Sequence, residues 1–290
     1  YKVNVLPPRE DLNGENVLRN IYSDSGIDVY FTDLLTAENL AAHKDYGQSA
    51  ADITESVWNK KPIKADGTEE ELTVGEKLAY TDTDLLKYDG KVYGLPYASS
   101  FGVLAVNKKV LNSYGLELPR TTDEMFYCFD KIMEKALDTG VFPVTYSLNS
   151  NNYTMATLNP WIAQYNGVEE YNSFWSFQDF DGNDLGKDSY KVFQYDSVRV
   201  ALEVMYRFAD YNIAAYGSGS QEFKAAQAQL MKGTAVFYSV GDWMFNEEYY
   251  GFPDNRNDVT CINAPMVSAL GKKLFGSGTS YGFDDEKADD

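Results

Sequence analysis

Residues 89–124 read DGKVYGLPYASSFGVLAVNKKVLNSYGLELPRTTDE, and this stretch decides the fold. Its opening Asp89-Gly90 pair stands between hydrophobic residues and predicts a hairpin turn. The uncharged run Val103–Val106 predicts a buried strand. Residues 121–124 have the pattern of a helix capping box, ahead of apolar residues at helical spacing. The stretch therefore predicts a hairpin, a strand and a helix, and we expect an α/β protein.

Outward from this stretch, strands and helices continue to alternate. With 290 residues the chain exceeds the usual size of one core, so we expect two domains. The helix from residue 121 is expected to end at Gly140, a residue that favours helix C-termini. Two more helices are predicted at 192–211 and 221–232, and further strands at 141–146, 234–238 and 259–262.

The charge balance excludes several classes of partner. The formal net charge is −19, from 44 acidic and 25 basic residues, so we expect neither nucleic acid nor an anionic membrane surface as a partner. A cationic ligand such as a polyamine stays open. Cys128 and Cys261 are far apart without a neighbouring cysteine, which favours free thiols and argues against a metal site. His43 is the only histidine, and no cofactor motif is present.

Charged residues are distributed unevenly, and the gaps indicate a ligand site. The longest uncharged run extends from Thr139 to Val168, and shorter ones cover residues 92–107, 234–241 and 274–283. These runs are rich in Gly, Ser, Thr, Asn and aromatic residues. Their aliphatic parts are predicted to be buried strands. Their polar and aromatic ends suit the wall of a cleft that binds a neutral polar molecule.

The sequence resembles the family 1 extracellular solute-binding proteins of ABC importers. Residues 89–97, 103–111 and 114–124 follow that family's motifs in order, and residues 26–33 and 230–243 add two further pieces. The family typically has one more strand and helix before residues like Tyr1–Val3, and several helices after residue 278. This chain is therefore expected to be shorter than the family at both ends.

The resemblance implies a periplasmic-binding-protein-like α/β fold, with two lobes joined by hinge crossings and the ligand in the cleft between them. A first lobe is expected at residues 1–107, without its first strand, and a second at 108–269. Residues 270–290 would form a return crossing. Carried over by position, the candidate ligand-binding residues are Thr32, Asp33, Ser99, Ser100, Phe101, Asn152, Tyr153, Trp243, Ser277 and Thr279. Trp243 matches the family's stacking tryptophan.

The expected function is non-catalytic capture of a mono- or oligosaccharide by lobe closure, followed by delivery to the permease subunits of an ABC transporter. The expected location is the cell envelope, in the periplasm or lipid-anchored outside the cytoplasmic membrane. No catalytic residue, metal or cofactor is expected. Two alternatives stay open: a polyamine or peptide binder on the same scaffold, and a glycoside hydrolase that uses two carboxylates.

Overall fold

A computed structural model describes residues 50–78, 86–97, 100–248 and 251–275, together with 4–5, 17 and 28–31. The chain divides into two compact units, Tyr1–Ser99 and Ser100–Asp290. The predicted lobe ranges of 1–107, 108–269 and 270–290 stay a prediction. Within the described residues, no helix combines the length and the apolar character that crossing a membrane requires.

In the first unit, the described elements are short. A π-helical turn at Thr54–Trp58 is followed by helix α1, Val74–Lys77, and by strands β1, Lys87–Tyr88, and β2, Lys91–Val92. The two strands pair antiparallel, which confirms the predicted hairpin. Its turn residues have φ of 49° at Asp89 and 72° at Gly90. Positive φ at both central positions is the geometry that an Asp-Gly pair favours.

The second unit is built on a mixed four-stranded sheet. Its strands are β3, Gly102–Asn107; β4, Phe142–Thr145; β5, Ala235–Gly241; and β6, Val259–Ile262. They are ordered β4-β5-β3-β6. β4 and β5 run parallel, whereas β3 pairs antiparallel with both β5 and β6. All four strands confirm segments that the sequence predicts as strands.

Helices of the second unit largely follow the sequence pattern. Thr121 caps helix α3, Thr122–Met133, through a capping box with Glu124, and a left-handed Gly233 ends helix α8, Phe223–Lys232. The sequence predicts one helix up to Gly140, but the structure has two, α3 and then α4 at Ala136–Thr139. The helices are α2 at Lys108–Ser113, α3 at Thr122–Met133, α4 at Ala136–Thr139, α5 at Met155–Asn166, α6 at Val168–Ser176, α7 at Asp196–Phe208, α8 at Phe223–Lys232, α9 at Met244–Glu247 and α10 at Ser268–Phe275.

The sheet of the second unit is covered on both faces. Along β3, Leu104 and Val106 belong to a large hydrophobic cluster with residues of α3, α5 and α7. Val103 and Ala105 point to the opposite face and pack in a second cluster, which includes residues of α8 and α9. Since successive side chains of a strand alternate between faces, a strand covered on both sides has an unbroken apolar sequence. This explains the lack of charge in β3 and β5.

Gly102 brings α5 close to the start of β3. A Cβ at Gly102 would lie 2.3 Å from the carbonyl oxygen of Ala156, so no larger residue fits without a backbone shift. This close approach places the first turn of α5, and the residues just before it, beside the end of β5. Both cysteines are free, with Cys128 buried and Cys261 half-buried, which confirms the predicted free thiols.

Candidate functional site

The position of Trp243 is fixed by the end of strand β5. All seven residues of β5 are buried, and Trp243 follows two residues after Gly241 as the N-cap residue of α9. The backbone N–H of Asp242 donates to the carbonyl of Phe101 at 3.2 Å, and the N–H of Phe101 donates to Asp242 Oδ1 at 3.4 Å. The start of β3 is thus tied to the residue that precedes the tryptophan.

Tyr153 is positioned by the same strand. It lies in a short 3₁₀ segment, Leu148–Thr154, between β4 and α5. The hydroxyl of Ser239, on β5, donates to the Tyr153 carbonyl at 2.8 Å and accepts from the hydroxyl of Thr157 at 2.9 Å. Two predicted site residues, Tyr153 and Trp243, are therefore both fixed by β5.

Four aromatic side chains meet around Tyr153, and we call Tyr153, Phe223, Tyr238 and Trp243 the aromatic site. The ring of Tyr153 stacks on Phe223, with centroids 5.4 Å apart and an interplanar angle of 14°. It also stacks on Tyr238, at 6.1 Å and 17°. Trp243 meets it edge to face, at 5.9 Å and 61°. Tyr238 is buried, whereas Tyr153, Phe223 and Trp243 are half-buried, so part of the aromatic surface of the site is accessible.

The aromatic site also carries polar atoms, which are the hydroxyl groups of Tyr153 and Tyr238 and the indole N–H of Trp243. The pKa of the Tyr153 hydroxyl is raised, mainly by burial, while the Trp243 side chain opposes this rise and the charge of Glu247 adds to it. Flat rings with polar edges can stack on the C–H face of a sugar while the edges bind its hydroxyl groups.

The structure describes only part of the predicted site. It brings Tyr153 and Trp243 into contact, and Phe101 is linked to them through Asp242. Phe101 and Ser100 are exposed, with 63% of Phe101 accessible. Asn152 lies beside Tyr153 in the 3₁₀ segment, and its side chain is not described. The other five predicted residues lie outside the described residues: Thr32, Asp33, Ser99, Ser277 and Thr279.

Three further residues of the site were not predicted from the sequence. Phe223 stacks on Tyr153, Tyr238 lies under it, and Asp242 ties Phe101 to the tryptophan. Tyr238 and Asp242 stand within or beside the uncharged run at residues 234–241, which is the signal that could have found them. Phe223 has no such signal, because it looks like an ordinary apolar residue at the start of an amphipathic helix.

The aromatic site does not include a cluster of metal-ligating side chains. Over the residues that the structure describes, no group of three or more His, Cys, Asp or Glu side chains could hold a metal ion. What the described site offers is a surface of aromatic rings that carries two tyrosine hydroxyl groups and one indole N–H. This combination suits binding of a neutral polar ring.

Known proteins resemble this chain over much of its length. The family described as bacterial extracellular solute-binding protein matches residues 31–279. A probable sugar-binding periplasmic protein of Mesorhizobium japonicum is 26% identical over 205 residues, which are 69% of this chain and 45% of that protein.

Solved structures show the same fold. A chitin oligosaccharide binding protein superposes with a TM-score of 0.56 at 17% identity, over 81% of this chain and 52% of that one. The bacterial solute receptor AcbH, described as having an exclusive preference for β-D-galactopyranose, superposes with a TM-score of 0.53 at 18% identity, over 87% and 56%. These likenesses confirm the predicted α/β fold of two-lobed solute-binding proteins. The chain spans about half the length of the relatives it matches.

Proposed function

Because this chain belongs to the bacterial extracellular solute-binding proteins, we propose that it captures a mono- or oligosaccharide for import by an ABC transporter. The observation that carries the proposal is the contact between Tyr153 and Trp243 within the aromatic site. The rings can cover the C–H face of a sugar, and their polar edges can exchange hydrogen bonds with its hydroxyl groups.

Relatives support a saccharide as the ligand class. The curated relative is named as sugar-binding, and two solved proteins of the same fold are described with chitin oligosaccharides and with β-D-galactopyranose. A saccharide also agrees with the chemistry of the described site, where aromatic rings that can stack on a sugar carry hydroxyl and indole N–H groups that can form hydrogen bonds. We expect affinity to come from stacking and hydrogen bonds, without a chemical step.

The cellular setting follows from the family. The family is extracellular, and the curated relative is named as periplasmic. We propose that this chain works in the cell envelope, either in the periplasm or attached outside the cytoplasmic membrane, and that its partners are the permease subunits of an importer. The five predicted contacts outside the described residues, at positions 32, 33, 99, 277 and 279, stay predictions.

A thermal-shift screen of the full chain tests the proposal. The panel contains D-galactose, chitin disaccharide, other mono- and oligosaccharides, spermidine and short peptides. A ligand that binds only the folded state stabilises it by RT ln(1 + [L]/Kd), about 2.7 kcal/mol at a concentration of 100 Kd. We expect at least one saccharide to raise the melting temperature with its concentration, and chromatography to recover it unchanged.

Other outcomes would contradict the proposal in different ways. A shift with spermidine or a peptide and with no saccharide would favour the alternative binder. Cleavage of an oligosaccharide during incubation would favour a glycoside hydrolase. A screen in which no saccharide shifts the melting temperature would overturn saccharide capture.

A further inference from the structure

Two separate segments of the chain carry the stacked rings of the aromatic site. Tyr153 belongs to the 3₁₀ segment Leu148–Thr154, and Phe223 is the first residue of α8. Their rings are nearly parallel, with centroids 5.4 Å apart and an angle of 14°. A ring contact of this kind is weak by itself, so the geometry of the stack depends on how the two backbones are held.

The start of α8 is not fixed by a cap of its own. Glu222 is its N-cap residue, and the Glu222 side chain accepts from Asn149 Nδ2 in the 3₁₀ segment, at 3.2 Å, instead of capping the helix. Among the described residues, the hydroxyl oxygen of Tyr238 and the side-chain oxygen of Gln227 on α8 have no hydrogen-bond partner. Neither atom therefore fixes the stack, and the bonds that hold Phe223 come from residues before the helix.

A group of hydrogen bonds joins the residues before α8 to the end of β4. We call Thr145, Ser147, Gln221 and Gln229 the polar link. The Gln221 Nε2 donates to Thr145 Oγ1, to the carbonyl of Tyr146 and to Gln229 Oε1, each at 3.0 Å. The Ser147 hydroxyl donates to the Gln221 carbonyl at 2.6 Å, and the Thr145 hydroxyl donates to Gln229 Oε1 at 2.6 Å.

The polar link is close in sequence to both stacked rings and largely shielded from water. Thr145 and Ser147 are buried, and Gln221 is half-buried. Gln221 stands two residues before Phe223, and Ser147 stands six residues before Tyr153. Because buried polar networks with satisfied hydrogen bonds make a structure rigid, the link fixes the two backbones that carry the rings relative to each other.

Gln221 is the centre of the polar link. Its amide nitrogen donates to three acceptors, and its backbone carbonyl accepts from Ser147. An amide nitrogen is a donor only, so all three side-chain bonds depend on the NH₂ group. We propose that Gln221 is a positioning residue, which holds Phe223 against the ring of Tyr153. The consequence for saccharide affinity rests on the proposed function, but the effect on the stacked rings does not.

Fluorine NMR of the ligand-free full chain tests the positioning role directly. 4-Fluorophenylalanine at position 223 reports the ring current of Tyr153, and the same label in Tyr153→Leu gives the signal without stacking. We expect Gln221→Met, which has a similar volume but no donor, to move the fluorine resonance toward that of Tyr153→Leu. Gln221→Glu keeps the shape of the side chain and loses the NH₂ group, so it should move the resonance in the same direction. All spectra are recorded below the melting temperature of each variant.

Two serine variants form a matched pair. Ser147→Ala removes the bond to the Gln221 carbonyl, and Ser218→Ala removes a bond of 2.7 Å to the carbonyl of Ala215. Both serines are buried, but the bond of Ser218 is local and does not join the two segments. We expect Ser147→Ala to move the fluorine resonance toward that of the unstacked ring, and Ser218→Ala to leave it unchanged. Ser147→Ala also serves if Gln221→Met does not fold, because it deletes only one hydroxyl group.

Affinity for the saccharide found in the screen gives the second measurement. Gln221→Met should weaken binding about tenfold, and Ser218→Ala should keep the wild-type value. If Gln221 acts through Phe223, the two residues are coupled, and their effects on affinity do not add. We therefore expect the double variant Gln221→Met, Phe223→Leu to bind no more weakly than Phe223→Leu alone.

Three results would overturn the positioning role. They are an unchanged fluorine resonance in Gln221→Met or Gln221→Glu, equal shifts in Ser147→Ala and Ser218→Ala, and additive losses of affinity in the double variant. If no saccharide binds the wild type, the proposed function fails, and the fluorine spectra of the ligand-free variants still decide the role of Gln221.

Discussion

The ring of Trp243 lies against the backbone of Gly241, so close that a Cβ on Gly241 would come within 1.8 Å of the ring carbon Cζ3. Any side chain at position 241 must therefore displace the tryptophan. We expect Gly241→Ala to weaken saccharide binding at least about tenfold, or about 1.4 kcal/mol. Isothermal titration calorimetry with the saccharide from the screen measures this effect.

Gly219→Ala is the matched control for this change. A Cβ at Gly219 would meet the ring of Tyr211 at 3.5 Å, an ordinary contact distance, and Tyr211 is not a residue of the aromatic site. Its affinity should equal that of the wild type. Wild-type affinity in Gly241→Ala would show that the position of the Trp243 ring does not matter for binding.

Removing the Trp243 ring itself should abolish saccharide binding. Trp243 is half-buried at the start of the short helix α9, and it is not part of the fully buried core. We therefore expect Trp243→Ala to keep its fold, because most of the apolar surface that stabilises the sheet stays buried. Circular dichroism checks the fold, and the loss of the saccharide-dependent melting shift checks binding. Retained affinity for the saccharide would show that the binding site does not include Trp243.

Glu248 should make the protein less stable at neutral pH than in mild acid. Burial raises the pKa of Glu248 above its ordinary value of 4.5, the charge of Glu247 raises it further, and Lys224 opposes the shift. A carboxyl group with a raised pKa contributes its full stability below pH 4.5, and this contribution is lost as the pH rises through the raised pKa.

Glu248→Gln should remove this pH dependence, since the amide stays neutral. We expect its melting temperature to exceed that of the wild type at pH 7, and the difference to shrink as the pH falls toward 4.5. Melting curves across this pH range measure the difference. A difference that is constant with pH would mean that Glu248 acts through packing rather than through its charge.

Both cysteines should be unreactive in the folded protein. Burial raises the pKa of Cys128 and of Cys261 to about 11, with smaller contributions from Glu124 and Asp242 respectively. At pH 8 only about one thiol in a thousand would be ionised, and the thiolate is the reactive form. Ellman's reagent should therefore label neither residue until guanidinium unfolds the chain. Rapid labelling in the native state would contradict the burial of these thiols.

Local elements of the fold could be predicted because their causes are local. The Asp89-Gly90 turn, the capping box of α3 and the left-handed Gly233 each depend on a few neighbouring residues. The order and direction of the strands could not be predicted from the residues alone. They depend on pairings such as that of Ala105 with Tyr238, whose partners are distant in the sequence.

The same distinction applies to the site. Trp243 was predicted because its surroundings match a motif of a known family, and Tyr153 because the second lobe of that family usually offers an aromatic residue at this position. The stacking of Phe223 on Tyr153 joins two segments with no local pattern in common. The unpaired oxygens of Gln227 and Tyr238 depend on what surrounds each side chain in space, which spacing along the chain does not reveal.

Strand β5 is paired on both sides, buried throughout, and ends two residues before Trp243. Amide hydrogens in such a strand exchange only when a large part of the domain opens. The indole is therefore attached to a backbone that is already ordered before a ligand binds. No loop under the ring has to become ordered when the ligand binds, so little conformational entropy is lost. Weak stacking contacts can therefore contribute to the affinity.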